Sequence, residues 1–233
     1  MRHLYLTKNT AGRDWLVGDL HGWIGATLRE ELSSRGFDFE RDRLIAVGDL
    51  VDRGPASDAL LDLLDQPWFY SIMGNHEMML MAYHEGHVEV GMYAAHGGAW
   101  AIGMMPVERL AYVDAVRDLP MCITLETSAG LLGVVHSAAP RSTWAEVVAE
   151  AEGRLSDEFM ASLMWKRGPW GHVAGVRAVV CGHTTVSSPD VVGNHVRIDT
   201  GGWNRRRPGG HFTFLDAETL QPVLPVPLVI EGP

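Results

Sequence analysis

The chain has 233 residues, 46% of them hydrophobic, and a formal net charge of −10 at pH 7. Duplex DNA and anionic membranes both favour a basic surface, so this charge argues against either as the main partner. The two cysteines lie in apolar runs, and no leader or run of transmembrane length is visible, which predicts a reduced cytoplasmic protein. The length predicts a single domain over residues 1–233, in which residues 86–105 form a candidate cap segment.

The first part of the chain alternates short apolar runs with segments of helical periodicity. This order of strand, helix, strand, helix and strand implies parallel strands joined by right-handed crossovers. Residues 3–7 predict an edge strand or a loop. The predicted strands are then 13–18, 44–48 and 69–73, and the predicted helices are 23–35 and 56–65.

Helical segments follow at residues 76–85 and 106–119, separated by the irregular stretch 86–105. After residue 120 the pattern changes to strands with one helical section, 143–164. These strands predict a second sheet packed on the first, with helices on the outside. They are residues 121–127, 131–136, 178–182, 195–199 and 211–216, with a hairpin turn at 192–195 and an extended tail at 221–233.

Five apolar runs end in Asp, His or Asn, four of them through a glycine. Open α/β sheets place their chemistry at the carboxyl ends of their strands, so these side chains are expected at one edge. A lone Asp or His at a strand end is commonly structural, and Asp52 with Arg53 could be an ordinary surface pair. Five such endings together favour a metal site instead. The candidate ligands are Asp19, His21, Asp49, Asn75, His136 and His183.

This set combines oxygen donors with imidazoles and contains no thiolate. Such a mixture suits Mn²⁺, Fe, Zn²⁺ or Co²⁺. Six ligands are too many for one catalytic ion that keeps a position open, but they fit two ions sharing a carboxylate. Asp49 is the natural bridge because it is central in the sequence. Two such ions can generate hydroxide and bind both oxygens of an in-line displacement at phosphorus.

Two neighbouring groups have no place in the ligand set. His76 adjoins Asn75, and Asp52 is three residues beyond Asp49. A carboxylate on one imidazole nitrogen orients the ring and favours its protonated form, so His76 with Asp52 predicts a general acid. Arg53 supplies planar donors that match a phosphate group.

These motifs resemble the phosphoprotein phosphatase branch of the calcineurin-like metallophosphoesterases, from about residue 13 to 203. The likeness extends to the small bacterial and phage lambda type of serine/threonine protein phosphatase. The motifs are Gly18-Asp19-x-His21-Gly22, Gly48-Asp49-x-Val51-Asp52-Arg53-Gly54, Gly74-Asn75-His76-Glu77, Val135-His136-Ser137-Ala138, Gly182-His183-Thr184, Gly97-Gly98-x-Trp100, Asp118-Leu119-Pro120, Leu163-x-Trp165-x-Arg167 and Ile198-Asp199-Thr200-Gly201.

The resemblance implies an α/β fold with α+β elements, a four-layer αββα sandwich of two mixed sheets flanked by helices. It implies a dinuclear site, for which we expect two Mn²⁺ ions, with Fe or Zn as alternatives. The implied roles are Asp19, His21 and Asp49 on the first ion; Asp49, Asn75, His136 and His183 on the second; His76 with Asp52 as the acid; and Arg53 with Arg167 on the phosphate.

The leading functional hypothesis is a monomeric phosphatase of phosphoserine or phosphothreonine proteins, with phosphotyrosine and small phosphoesters as further substrates. A hydrolase of diadenosine tetraphosphate would use almost the same motifs and needs a base-stacking surface, for which Trp100, Trp170 and Trp203 are candidates. A non-catalytic binding module should have lost ligands, and all are present. Two departures from the family pattern bear on substrate choice: His96 in place of Asn, and the basic run 205–207.

Overall fold

The computed structural model describes residues 2–204 and 206–226. Arg205 and the end of the tail, residues 227–233, lie outside the described residues. Within them, ten strands and eight α-helices alternate along the chain. The strands are β1 (His3–Leu6), β2 (Asp14–Val17), β3 (Arg43–Ala46), β4 (Phe69–Ser71), β5 (Cys122–Thr127), β6 (Gly130–Val134), β7 (Ala178–Cys181), β8 (Asp190–Val192), β9 (His195–Arg197) and β10 (Phe214–Asp216). The helices are α1 (Ala26–Ser34), α2 (Leu60–Leu64), α3 (Asn75–His84), α4 (Val90–Ala95), α5 (Ala99–Ile102), α6 (Pro106–Arg117), α7 (Trp144–Glu152) and α8 (Asp157–Trp165), with a 3₁₀ turn at Ser57–Ala59.

The smaller sheet has four strands in the order β10-β2-β3-β4. Strands β2, β3 and β4 are parallel, as the alternating pattern predicted. Strand β10 pairs antiparallel with β2, with Leu215 opposite Leu16. We grouped this last strand with the second sheet, which was wrong because its pairing partner lies about 200 residues earlier in the chain.

The larger sheet has six strands in the order β1-β5-β6-β7-β9-β8 and mixes parallel with antiparallel pairs. Strand β1 lies at its edge, in agreement with the prediction for residues 3–7. Strands β8 and β9 form the predicted hairpin, in which Gly193 adopts a φ of 64°. Both sheets are therefore mixed.

The core has three apolar layers. Leu16, Ile45 and Val180 belong to the layer between the two sheets. Alternation along β2 turns Trp15 and Val17 to the opposite face, where they pack in one cluster with side chains of α1, α2, α3 and α6. The outer face of the larger sheet packs in another cluster with α7 and α8. This arrangement confirms the four-layer αββα sandwich.

Three helix predictions need correction. The section 143–164 is two helices, because the chain breaks after Gly153 and Ser156 caps the second one by accepting a hydrogen bond from the backbone N–H of Phe159. Helix α1 begins only after Gly25, whose φ is 72°. The stretch 86–105 is not irregular, since it contains α4 and α5.

Both cysteines are buried and free, as expected. None of the helices in the described residues is both long and apolar enough to cross a membrane.

Candidate metal centre

All six predicted ligands follow strands and come together where the two sheets meet. Asp19 and His21 follow β2, Asp49 follows β3, and Asn75 begins α3 directly after β4. His136 follows β6 and His183 follows β7, so the larger sheet contributes the remaining pair. In both sheets, therefore, the candidate side chains lie at the carboxyl ends of the strands, as expected for α/β sheets.

Asp49 lies between two sets of possible donors. Its Oδ2 is 3.4 Å from His21 Nε2, and its Oδ1 is 3.4 Å from His136 Nε2. In the described part of the chain, two groups of side chains have donor atoms within 4.8 Å of one another, and both contain Asp49. One group adds His21 and His76, and the other adds His136 and His183. A carboxylate shared by two groups is what the bridging hypothesis requires.

Backbone carbonyls orient two of the candidate imidazoles. His21 Nδ1 lies 3.0 Å from the carbonyl of Val51, and His136 Nδ1 lies 2.8 Å from that of Val47. These contacts assign the proton to Nδ1 and leave the Nε2 lone pair facing the centre. His136 Nε2 is then 2.9 Å from Asn75 Oδ1. Imidazole nitrogens and an amide oxygen gathered beside the Asp49 carboxylate are ligand types that divalent transition metals accept, so the residues present fit bound metal ions.

The pKa values of two candidate ligands, Asp19 and His183, are shifted toward the neutral forms of these side chains. Burial raises the pKa of Asp19 well above its usual value, and the carboxylates of Asp199 and Asp49 raise it further. Burial, followed by the neighbouring His136, lowers the pKa of His183 to about 4, which keeps that imidazole neutral. Crowded carboxylates with neutral imidazoles are stabilised by divalent cations, which supply the missing charge.

The turns after the strands are strained at the candidate residues. Within the described residues, six non-glycine residues have positive φ, and five of them belong to this site. Gly48, with a φ of 89°, leaves room for the backbone of Gly74, which a Cβ would meet at 2.7–2.9 Å. Strain of this kind persists only where the surroundings hold it, and it clusters at functional sites. The five residues are His21, Asp49, Asp52, Arg53 and His183.

Glu77 holds the Asp49 turn in this conformation. Its fully buried carboxylate accepts hydrogen bonds from the backbone N–H groups of Asp49 (2.9 Å), Leu50 (2.8 Å) and Gly74 (2.8 Å). We assigned no role to this residue from the sequence. The available signal was its place in the first turn of a helix, where a glutamate caps free N–H groups.

His76 and Asp52 form the predicted contact, with 2.7 Å between His76 Nδ1 and Asp52 Oδ2. Both side chains are buried. Burial opposes the charged imidazole, but the nearby Asp49 and the hydrogen bond with Asp52 together raise the pKa of His76. The contact fixes the ring and places His76 Nε2 at the cavity, 2.8 Å from Arg53 Nη2.

The segment 86–105 contacts Asp52 and Arg53 through hydrogen bonds. Asp52 Oδ1 accepts hydrogen bonds from Tyr93 Oη at 3.0 Å and from Trp100 Nε1 at 2.7 Å. The Gly97 carbonyl accepts the Arg53 N–H at 3.2 Å. Trp100, a candidate base-stacking residue, has its indole N–H on Asp52 and does not line the cavity over the candidate ligands. Tyr93 was missed altogether.

We expect Tyr93→Phe to lower kcat about fivefold, because losing one hydrogen bond of about 1 kcal/mol leaves Asp52 less firmly held. Metal content should not change. Steady-state kinetics with elemental analysis measure both. Tyr5→Phe is the matched control, since Tyr5 is half-exposed on the edge strand β1. A kcat equal to that of the unmodified protein would show that the Tyr93 hydroxyl has no positioning role.

A cavity of about 350 Å³ opens over these groups. Arg53 contributes a guanidinium whose Nη1 is 2.6 Å from His21 Nε2 and whose Nη2 is 2.8 Å from His76 Nε2. Arg167 also lines it, as its motif predicted. A larger cavity of about 570 Å³ lies between α1 and α2 but holds none of the candidate residues. The residues that line the smaller cavity are Asp19, Asp49, Arg53, Asn75, His76, His96, Trp165, Arg167, His183, Thr185 and Trp203.

The aromatic side chains around this cavity differ partly from the predicted set. Trp203 borders it as expected, with Arg53 packed over its ring at 4.2 Å. Trp165 also borders it and is 44% exposed, yet the sequence suggested only its neighbour Arg167. Trp170 does not border it and packs beneath Arg197 at 4.5 Å. Nothing in the periodicity distinguishes Trp165 from Trp170.

The chain is similar in sequence to a known protein family and to several named proteins. The calcineurin-like phosphoesterase model matches residues 13–187. "Serine/threonine-protein phosphatase 2" of Escherichia coli K12 is 33% identical over 200 residues, which are 83% of this chain and 89% of that protein. "Bis(5'-nucleosyl)-tetraphosphatase, symmetrical" of Dechloromonas aromatica is 29% identical over 163 residues, 67% of this chain and 57% of that protein.

A solved structure agrees in fold. The cold-active protein-tyrosine phosphatase of a psychrophilic Shewanella species superposes with a TM-score of 0.60 at 14% identity, covering 93% of this chain and 78% of that one.

Proposed function

This chain belongs to the calcineurin-like phosphoesterase family, and we propose that it is a metal-dependent serine/threonine protein phosphatase. The single observation that carries the proposal is the buried His76–Asp52 pair beside Arg53, in the cavity that also holds the candidate ligands. Its relatives named as protein phosphatases match over most of their own length. Relatives named as tetraphosphatases match over a smaller share of their own length, 57% for that of Dechloromonas aromatica.

Members of this family use a dinuclear metal site, and the chemistry of the donor set here fits one. When bound, the two ions supply positive charge for the phosphate oxygens and lower the pKa of water. We assign Asp19, His21 and Asp49 to the first ion, and Asp49, Asn75, His136 and His183 to the second.

The arginines bind the substrate in this proposal. Arg53 presents a planar guanidinium in the cavity, and its backbone is fixed by the Gly97 carbonyl. Such a fork matches two oxygens of a phosphate group. Arg167, which is exposed on the same cavity, adds a second cation. Together they orient the phosphate and offset the charge that develops on it.

His76 completes the reaction by giving up a proton. Asp52 accepts the hydrogen bond from Nδ1–H, and Nε2 lies at the cavity, 2.8 Å from Arg53 Nη2. In the substrate complex, Arg53 turns to the phosphate and the protonated ring donates its Nε2–H to the leaving oxygen. The ester phosphorus–oxygen bond breaks as a water oxygen bonds to phosphorus. The serine or threonine hydroxyl then leaves as a neutral alcohol, and Asp52 stabilises the imidazolium until the proton moves.

For the metal we propose Mn²⁺, because each site mixes oxygen donors with imidazole. Mg²⁺ prefers oxygen and dehydrates reluctantly, whereas Mn²⁺ accepts both ligand types. We expect the chelator-stripped protein to be inactive toward p-nitrophenyl phosphate, strongly restored by Mn²⁺ and poorly by Mg²⁺. Elemental analysis should find two equivalents of metal. Full activity in the stripped protein, or better recovery with Mg²⁺, would contradict the proposed centre.

The second candidate is a diadenosine tetraphosphate hydrolase. It is favoured by Trp165, whose ring is 44% exposed at the cavity and offers a face for a nucleobase. Turnover of a phosphoserine peptide and of diadenosine tetraphosphate, compared as kcat/KM with Mn²⁺ present, separates the two. A higher value for the peptide supports the phosphatase. A higher kcat/KM for diadenosine tetraphosphate would contradict the phosphatase proposal and support the second candidate.

We also propose that the chain is a single domain, monomeric and cytoplasmic. The continuous packing of the described sheets and helices supports the single domain. Size-exclusion chromatography with light scattering tests the monomeric state.

A further inference from the structure

A second cavity, of about 360 Å³, shares two side chains with the catalytic one. Arg53 and Trp203 line both. The other residues of this second cavity, Trp23, Asn204 and Arg206, have no role in the proposed reaction. We call it the side groove. A group bound there is held next to the phosphate site.

Trp203 forms a fixed partition between the two cavities. Its Nε1–H donates to Asp199 Oδ1 at 3.1 Å, and its carbonyl accepts the indole N–H of Trp23 at 2.9 Å. Its ring lies edge-on to His21, with 4.8 Å between the ring centroids. Because three separate contacts hold Trp203, the side groove has a defined wall.

The side groove is positively charged in a protein that is acidic overall. Among the residues that the structure describes, neither Arg53 nor Arg206 forms an ion pair with a carboxylate, and Arg206 is exposed. Several other arginines do form such pairs. They are Arg13, Arg35, Arg43, Arg117, Arg141 and Arg197.

Local hydrogen bonds hold the backbone of Asn204, Arg206 and Arg207. Asn204 Oδ1 accepts the N–H of Arg206 at 3.2 Å, and the Asn204 N–H donates to the carbonyl of Gly201 at 3.0 Å. The Arg207 N–H in turn donates to the carbonyl of Asn204 at 2.9 Å. A guanidinium held in this way, in the same groove as Arg53, is suited to an anion.

We propose that the side groove binds the carboxylate of an acidic residue next to the phosphorylated residue of a protein substrate. This inference rests on the proposed phosphatase function. A nucleobase fits the groove less well, because Arg53 covers one face of Trp203 at 4.2 Å and the groove lies between two guanidinium groups. An extended peptide advances about 3.3–3.6 Å per residue, so a residue that flanks the phosphorylated one lies within reach of the adjoining groove.

The experiment compares two phosphoserine peptides that differ only in Asp or Asn at the flanking positions. We expect the unmodified protein to prefer the acidic peptide, with a preference that declines as salt is added. In Arg206→Gln, kcat/KM for the acidic peptide should fall about 3- to 10-fold, the range for one partly exposed charge-assisted pair. The neutral peptide and p-nitrophenyl phosphate should be unaffected.

Arg41→Gln is the matched control, because Arg41 is exposed before the start of β3, at the end of that strand opposite Asp49. It removes the same charge and should leave all three substrates unchanged. Arg206→Glu is the second variant, and it should reverse the preference toward a peptide with flanking Lys.

Equal losses on all three substrates would overturn the proposal, because they would indicate damage to the catalytic cavity. Equal kcat/KM values of the unmodified protein for the two peptides would also overturn the proposal. If the unmodified protein hydrolyses p-nitrophenyl phosphate and diadenosine tetraphosphate but neither peptide, the proposed phosphatase function is wrong, and the acidic-peptide proposal is wrong with it.

Discussion

Replacing Asp49 is expected to remove more metal than replacing any other candidate ligand. Its two carboxylate oxygens face different imidazoles, His21 and His136, each at 3.4 Å. Its Oδ1 also accepts the backbone N–H of His76 at 3.0 Å. One substitution therefore withdraws a donor from both proposed ions and a contact from the acid's backbone. We expect the loss of kcat to exceed the about 10²–10⁴-fold that a missing proton donor costs.

The choice of substitution matters because Asp49 has a φ of 51°. Asn tolerates this left-handed conformation, whereas Ala is strained in it. Asp49→Asn therefore separates loss of charge from loss of fold, and Asp49→Ala gives the full truncation. Both should hold less metal, by elemental analysis, than Asp19→Ala or His183→Ala, which each affect one ion. Two equivalents of metal retained in Asp49→Ala would show that Asp49 is not the bridge.

The candidate ligands could be predicted because each one follows its own strand. The feature needed is local: an apolar run, a glycine, and then a donor. Parallel strands bring their carboxyl ends to one edge whatever the details of packing, so Asp19, Asp49 and Asn75 converge without knowledge of long-range contacts. The turns at these positions also need unusual backbone angles, for which the neighbouring glycines are visible in the sequence.

The groups that support the site could not be predicted in the same way. Tyr93 and Trp100 contact Asp52 from 41 and 48 residues away, and they lie in short helices without a clear periodicity. Trp203 packs on Arg53 from 150 residues away. Such contacts depend on how a loop folds back over the sheet edge. The sequence placed Trp100 near the site but could not say which of its atoms was used.

The sheet to which a strand belongs is also a long-range property. Strand β10 has the composition of any buried strand, and only its pairing with β2 sets its place in the smaller sheet. The two helices α7 and α8 share one apolar cluster with the outer face of the larger sheet, so their combined periodicity resembles one long helix. Gly153, which follows the last residue of α7, is the local feature of the sequence that indicates where the first helix ends.

The second large effect is expected for His76→Asn, which should lower kcat by about 10²–10⁴-fold on an alkyl phosphate such as a phosphoserine peptide. The expected loss comes from removing the proton that His76 would give to the leaving oxygen. Asp52 holds Nδ1 at 2.7 Å, so the ring is fixed with Nε2 in the cavity, and Asn cannot carry a proton to the leaving oxygen. The metal content should stay at two equivalents, because His76 is not among the six assigned ligands.

The decisive measurement is how the loss depends on the leaving group. p-Nitrophenolate leaves with little need for protonation, so the loss in His76→Asn should be much smaller on p-nitrophenyl phosphate than on the peptide. Asp52→Asn should show the same dependence, and the double variant should be no worse than His76→Asn, because the two side chains act as one unit. His87→Asn is the matched control, because His87 is exposed and does not line the cavity, so it should leave both substrates unchanged. Equal losses on alkyl and aryl substrates would mean that His76 stabilises the site without donating the proton.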